Sequence, residues 1–112
     1  MQTSKTLIGS EEWCALPELG IHAVKARVDS GAKTSSIHAF NIQPFRRNGV
    51  NWVSFEIHPL QNNRRIVIRC ERPVADKRRV KSSSGVSETR YVVRSPIRLG
   101  KELWEVELTL AN

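Results

Sequence analysis

The feature that most constrains this chain is a period-two alternation of apolar and polar residues recurring in short runs. A strand turns successive side chains to opposite faces, whereas a helix needs apolar spacings of three and four. Lys101 to Leu110 alternates most clearly, with Trp104, Val106, Leu108 and Leu110 on one face and Glu105, Glu107 and Thr109 on the other. Val50 to His58 sets Val53, Phe55 and Ile57 opposite Ser54 and Glu56, and Arg65 to Glu71 sets Ile66, Ile68 and Cys70 opposite Arg65, Arg69 and Glu71. Further strands are expected over Lys5 to Ile8, Glu12 to Leu16, Ile21 to Val28, Ser36 to Ile42 and Thr89 to Val93. Asn48-Gly49, Gln61-Asn62-Asn63 and Ser82-Ser83-Ser84-Gly85 carry turn chemistry between the runs. No window holds a helical apolar stripe, so the chain reads as all-β, a small barrel or sandwich. There is no internal repeat and no linker; the 112 residues are read as one domain, enough to bury roughly two-thirds of the unfolded surface.

Charge narrows the partners. Lys and Arg number 18 against 11 Asp and Glu, a net charge of +7, and most of the cations are Arg, whose planar fork suits carboxylates and phosphates. The densest stretch holds Arg64, Arg65, Arg69, Arg72, Lys77, Arg78, Arg79 and Lys81 with Glu71 and Asp76 as its acids. It reads first as a solvated strand face and second as a surface that draws an acidic partner. An acidic protein or peptide is the expected partner; nucleic acid is the weaker expectation, because aromatic residues make up 6% of the chain and no RNA-binding motif appears. Met1 to Trp13 lacks the apolar region of a secretion signal, and no apolar run reaches the roughly 18 residues of a membrane helix. A cytoplasmic location without membrane contact is expected. Cys14 and Cys70 lack disulfide-framework or C-x-x-C spacing, and His22, His38 and His58 show no ligand spacing, so neither cofactor nor metal is expected.

No phosphate-binding loop, dinucleotide fingerprint, zinc-protease helix or nucleophile elbow is present. What remains is Asp29-Ser30-Gly31-Ala32, placed directly after the expected strand Ile21 to Val28. Aspartic peptidase chemistry needs a carboxylate on a tight loop, a neighbouring hydroxyl to brace it, and a glycine that lets the backbone approach closely. Average composition yields such a tetrapeptide in about one chain of this length in a few hundred. The plain alternative is a strand end with an ordinary turn, where Asp, Ser and Gly are common.

Val28-Asp29-Ser30-Gly31-Ala32-Lys33-Thr34-Ser35-Ser36-Ile37-His38-Ala39 resembles the signature of a retropepsin-like family whose members are called ATP-dependent zinc proteases. Ile8-Gly9 to Trp13, Leu16-Pro17-Glu18-Leu19-Gly20-Ile21, Lys81-Ser82-Ser83-Ser84-Gly85 with Glu88-Thr89-Arg90, and Leu99-Gly100-Lys101-Glu102-Leu103-Trp104 to Leu110 resemble it too, over nearly the whole chain. The resemblance implies a closed or partly open β-barrel of the aspartic peptidase type, sometimes associated with RimK-type enzymes that attach glutamates to a ribosomal protein. Nothing in the residues gives a physical basis for the zinc or ATP of the family's name. The family pattern also implies continuation past Leu110-Ala111-Asn112 into a segment ending in two hydrophobic residues and a glycine, which supports the catalytic loop. Ile97-Arg98-Leu99-Gly100, interrupted by a charge, is a poor substitute, so the domain is expected to be truncated at its C-terminus.

On this reading Asp29, Ser30 and Gly31 form the catalytic loop. Substrate contacts are expected from Ala32 and Thr34 beyond it, from Arg78, Arg79 and Lys81, and from Ser83, Ser84 and Gly85 in a flap over Ser82 to Val86. The other aspartate, Asp76, lacks a following Ser/Thr-Gly, so the paired carboxylates of the mechanism are expected from two copies of Asp29 across a homodimer axis. The rival from another class is a non-catalytic basic barrel that holds an acidic protein tail or ribosomal RNA.

Overall fold

Nine strands and one short 3-10 turn account for nearly all of the described chain. The computed structural model describes residues 11–28, 31, 33–59, 65–81 and 84–111. In order these are β1 (Glu11–Leu16), the 3-10 turn Pro17–Leu19, β2 (Ile21–Arg27), β3 (Thr34–His38), β4 (Phe40–Arg47), β5 (Val50–Ile57), β6 (Ile68–Pro73), β7 (Asp76–Lys81), β8 (Ser87–Leu99) and β9 (Glu102–Ala111). The expected strand Lys5 to Ile8 and the turn Gln61-Asn62-Asn63 lie outside the described residues.

A six-stranded sheet runs β1-β2-β3-β9-β8-β7, and Ala15 of β1 also pairs with Arg98 of β8. That bridge curls the sheet toward closure, while β2 meets β3 at Arg27↔Ser36, leaving the barrel partly open. A second sheet, β4-β5-β6, packs on it. The alternation read in β5 and β9 sets the core between them: Val53, Phe55 and Ile57 are buried with Val106, Leu108 and Leu110, all at most 2% exposed. Trp104 packs against this cluster. The β4–β5 turn is Asn48-Gly49, with φ of 53° and 78°. Both values are left-handed, as a two-residue hairpin of the right twist requires.

Two expectations are corrected. Ser36 to Ile42 is not one strand. The chain leaves β3 at fully buried Ala39, whose N–H donates to the Ala111 carbonyl at 2.8 Å, and joins the second sheet at Phe40. A register shift between Phe40 and Gln43, with Asn41 at φ 52°, turns the strand between the sheets. Ile66 does not share the core face of Ile68 and Cys70: β6 begins at Ile68, and Ile66 is 43% exposed. The basic run, expected as a strand face, is divided between two strands: Arg69 and Arg72 lie on β6, and Lys77, Arg78, Arg79 and Lys81 on β7 at the outer edge of the larger sheet.

Candidate functional site

The loop that carries Asp29 is fixed at both ends. On its entry side Val24, Ala26 and Val28 are buried, so the chain runs along the core until the residue before the aspartate. Asp29, Ser30 and Ala32 lie outside the described residues, as does Ser83. Gly31 is exposed at φ 75°, a conformation in which a Cβ costs roughly 1–2 kcal/mol, which explains a glycine here. On the exit side the Lys33 carbonyl accepts from the Glu107 N–H at 2.8 Å, and β3 continues as a parallel partner of β9 from Thr34↔Glu107 to His38↔Ala111. Ser35 follows at 6% exposure, and its Oγ has no hydrogen-bond partner among the described residues.

The β7–β8 hairpin forms the second part. Lys81↔Ser87 closes its tip around residues 82–86, where Ser84 and Gly85 are exposed, Gly85 at φ 87°, and Val86 is 63% exposed. The hairpin is tied to the loop's exit through one side chain. Arg78 donates to Glu107 Oε1 at 2.6 Å and to Asp76 Oδ2 at 3.2 Å, and Glu107 sits beside Thr34 on the neighbouring strand. Hydrogen bonds to Glu107 and then Asp76 hold the guanidinium pKa above its ordinary value. Arg78 is therefore engaged in structure. Arg79 and Lys81, on the alternate positions of β7, are exposed and take part in none of the ion pairs among the described residues. Asp76 caps the Lys77 N–H at 2.8 Å besides meeting Arg78, and so serves this strand.

Sequence reasoning missed a cleft of about 480 Å³ where β2 and β3 diverge. Lys25, Arg27 and Arg90 line it together with His38 and His58, whose rings flank Phe40 at centroid distances of 5.4 and 4.3 Å. Its cations come from two strands far apart in the chain, β2 and β8, so only the pairing of the strands reveals it. Cys14 and Cys70 are separate buried thiols, and burial pushes each pKa up to about 11.

An all-β barrel with the sequence Asp-Ser-Gly-Ala between two core strands, and a glycine-containing hairpin tied beside the start of the second of them, has the plan of a retropepsin-like protein. A model of the RimB-like family, described as retropepsin-like aspartic endopeptidase RimB, matches residues 7–112, and the chain belongs to that family. It is 67% identical over 109 residues to a probable alpha-L-glutamate ligase of Desulfotalea psychrophila, and 64% identical over 112 residues to one of Shewanella pealeana. These matches cover 97% and 100% of this chain but 24% of each relative, so the chain spans about a quarter of their length. Among solved structures, a protein of unknown function from Legionella pneumophila is similar with a TM-score of 0.62 and 25% identity, over 93% of this chain and 72% of that one. No helix among the described residues is long and apolar enough to cross a membrane.

Proposed function

We propose that this domain is an aspartic-type peptidase acting on acidic, glutamate-rich protein tails. The observation that carries the reading is the Asp29-Ser30-Gly31-Ala32 sequence at the β2–β3 junction of a RimB-like chain, with left-handed Gly31 inside it. Two Asp29 carboxylates from a homodimer share one proton, because like charges about 3 Å apart cannot both ionise. The ionised carboxylate takes a proton from water as the water attacks the scissile carbonyl, the protonated one donates to the carbonyl oxygen, and a proton then passes to the leaving nitrogen. Ser30 braces the paired loops, and the β7–β8 tip closes over the chain being cut.

The acidic specificity draws on the exposed cations Arg79 and Lys81 beside that tip, which enter no ion pair among the described residues, and on relatives whose name concerns glutamate ligation. Asp29→Asn keeps the shape of the loop but cannot accept the proton, so the intact protein loses hydrolysis of glutamate-rich peptides while still folding and binding them. Mass spectrometry of peptide digests reads this directly. If wild type and Asp29→Asn cleave equally, or neither cleaves while both bind, the domain is a binding module instead. Sedimentation tests the dyad: a strict monomer with peptidase activity excludes the shared pair.

A further inference from the structure

The basic strand β7 has two faces, and the fold accounts for the charge on only one. On one face Arg78 is held by Glu107 and Asp76, and its cross-strand partner Arg90 bonds Glu88 at 2.9 Å. On the other, Lys77, Arg79 and Lys81 are all exposed and absent from the ion pairs among the described residues. Their cross-strand partners are Tyr91, Thr89 and Ser87, hydroxyls rather than carboxylates. Strand geometry spaces such alternate residues at about 6.6 Å, so the cations form a row along the outermost strand of the sheet.

At its Lys77 end the row meets a cavity of about 210 Å³ between the β4–β5 hairpin and the β7–β8 hairpin. Phe45, Trp52 and Tyr91, the chain's single tyrosine, line it, with Arg46 and Lys77 as its charged residues and no acid. Phe45 and Trp52 lie 6.2 Å apart. Arg47, paired with Glu71 at 2.8 Å, stacks over both rings at 5.2 and 4.4 Å and does not line the cavity, so it backs the rings.

We propose that this pocket and row bind single-stranded nucleic acid, with one base against Phe45, Trp52 and Tyr91 and the adjoining phosphates along Lys77, Arg79 and Lys81. Rings for stacking beside a line of cations are what unpaired strands use and duplexes, whose bases are already stacked, cannot. An acidic peptide would satisfy the cations equally but brings no flat ring to the pocket. The inference stands apart from the peptidase reading. It adds one consequence to it, since a bound strand competes with an acidic tail for Arg79 and Lys81.

The test is fluorescence anisotropy of the full chain with labelled single-stranded RNA and DNA of about ten nucleotides. Binding of either is expected, with tryptophan quenching that disappears in Trp52→Leu. Phe45→Leu and Trp52→Leu, which keep an apolar side chain, should each weaken binding by about fivefold to a hundredfold without changing its salt dependence. Lys77→Gln and Arg79→Gln should each lower the slope of log K against log salt by about 0.7. Circular dichroism establishes that every variant is folded. No binding at low salt overturns the proposal. So does binding that the two leucine variants leave unchanged, or a duplex that binds as tightly.

Discussion

β9 and β7 flank β8 in the same sheet, one on each side, yet they are held in place by different physics. β9 is paired on both edges, antiparallel to β8 and parallel to β3, and sends Val106, Leu108 and Leu110 into the core. A slip of one residue would drive Glu105 and Glu107 inward, so burial alone sets its register. β7 is paired on one edge and has no buried residue. What distinguishes its faces is the fate of its charges: Arg78 reaches Glu107 and Asp76, while Lys77, Arg79 and Lys81 reach solvent. The inner strand is fixed by burial, and one face of the edge strand is left to solvent.

The largest effect should come from the inner strand. Leu108 is fully buried, and Leu108→Ala removes packing that the surrounding sheets cannot fully recover, costing roughly 2–5 kcal/mol in chemical denaturation. A loss below about 1 kcal/mol would mean that the site collapses around the smaller side chain and that β9 is not the rigid partner of the pair.

Next in size is a pH effect from the same interior. Cys14 on β1 and Cys70 on β6 are 4% and 5% exposed, with thiol pKa values near 11 against an ordinary 9.0; desolvation is the cause, opposed at Cys70 by the charge of Arg72. Between these values the unfolded chain gives up thiol protons that the folded chain keeps. Folded stability therefore falls as pH rises through that window, by up to about 1.4 kcal/mol per pH unit for each thiol. Denaturation midpoints of wild type and of Cys14→Ala/Cys70→Ala, compared at pH values below and inside the window, should converge as pH rises. A constant gap would show that the thiols ionise alike in both states.

The contrast also explains which parts of the molecule can be read from residues alone. In β5 and β9 a polar residue alternates with a bulky apolar group, and the Asn48-Gly49 turn needs φ values that few residue pairs adopt, so local chemistry suffices. The Asp29 tetrapeptide stands out in the sequence for the same reason, being four consecutive residues after a core strand, and three of the four lie outside the described residues. β7 carries charge on both faces and offers no apolar period, and Ser36 to Ile42 hides the passage between sheets at Ala39. The tether from Arg78 through Glu107 to Thr34 and the cleft between β2 and β3 join residues distant in the chain; they exist only once the register of β3 on β9 is known.

The smallest effect separates two adjacent arginines, and it tests the comparison most closely. Arg78 and Arg79 have the same chemistry and neighbouring positions, so charge counting treats them alike. Arg78 holds two carboxylates with its side chain 39% exposed and Glu107 at 33%, a partly screened pairing. Arg78→Gln should therefore lower stability by a small, measurable amount, and Glu107→Gln should add little on top, since the two changes break the same contact. Arg79→Gln should leave stability within about 0.5 kcal/mol of wild type. Binding should reverse the order. Arg79 is exposed and meets no acid among the described residues, so its loss should weaken capture of a glutamate-rich peptide, most at low salt where screening is least. Arg78→Gln removes a cation whose field Glu107 and Asp76 already cancel, and capture should change less. Paired denaturation curves and peptide-binding isotherms at two salt concentrations decide it. Equal stability losses, or equal binding losses, would show that the two faces of β7 are not divided between structure and recognition.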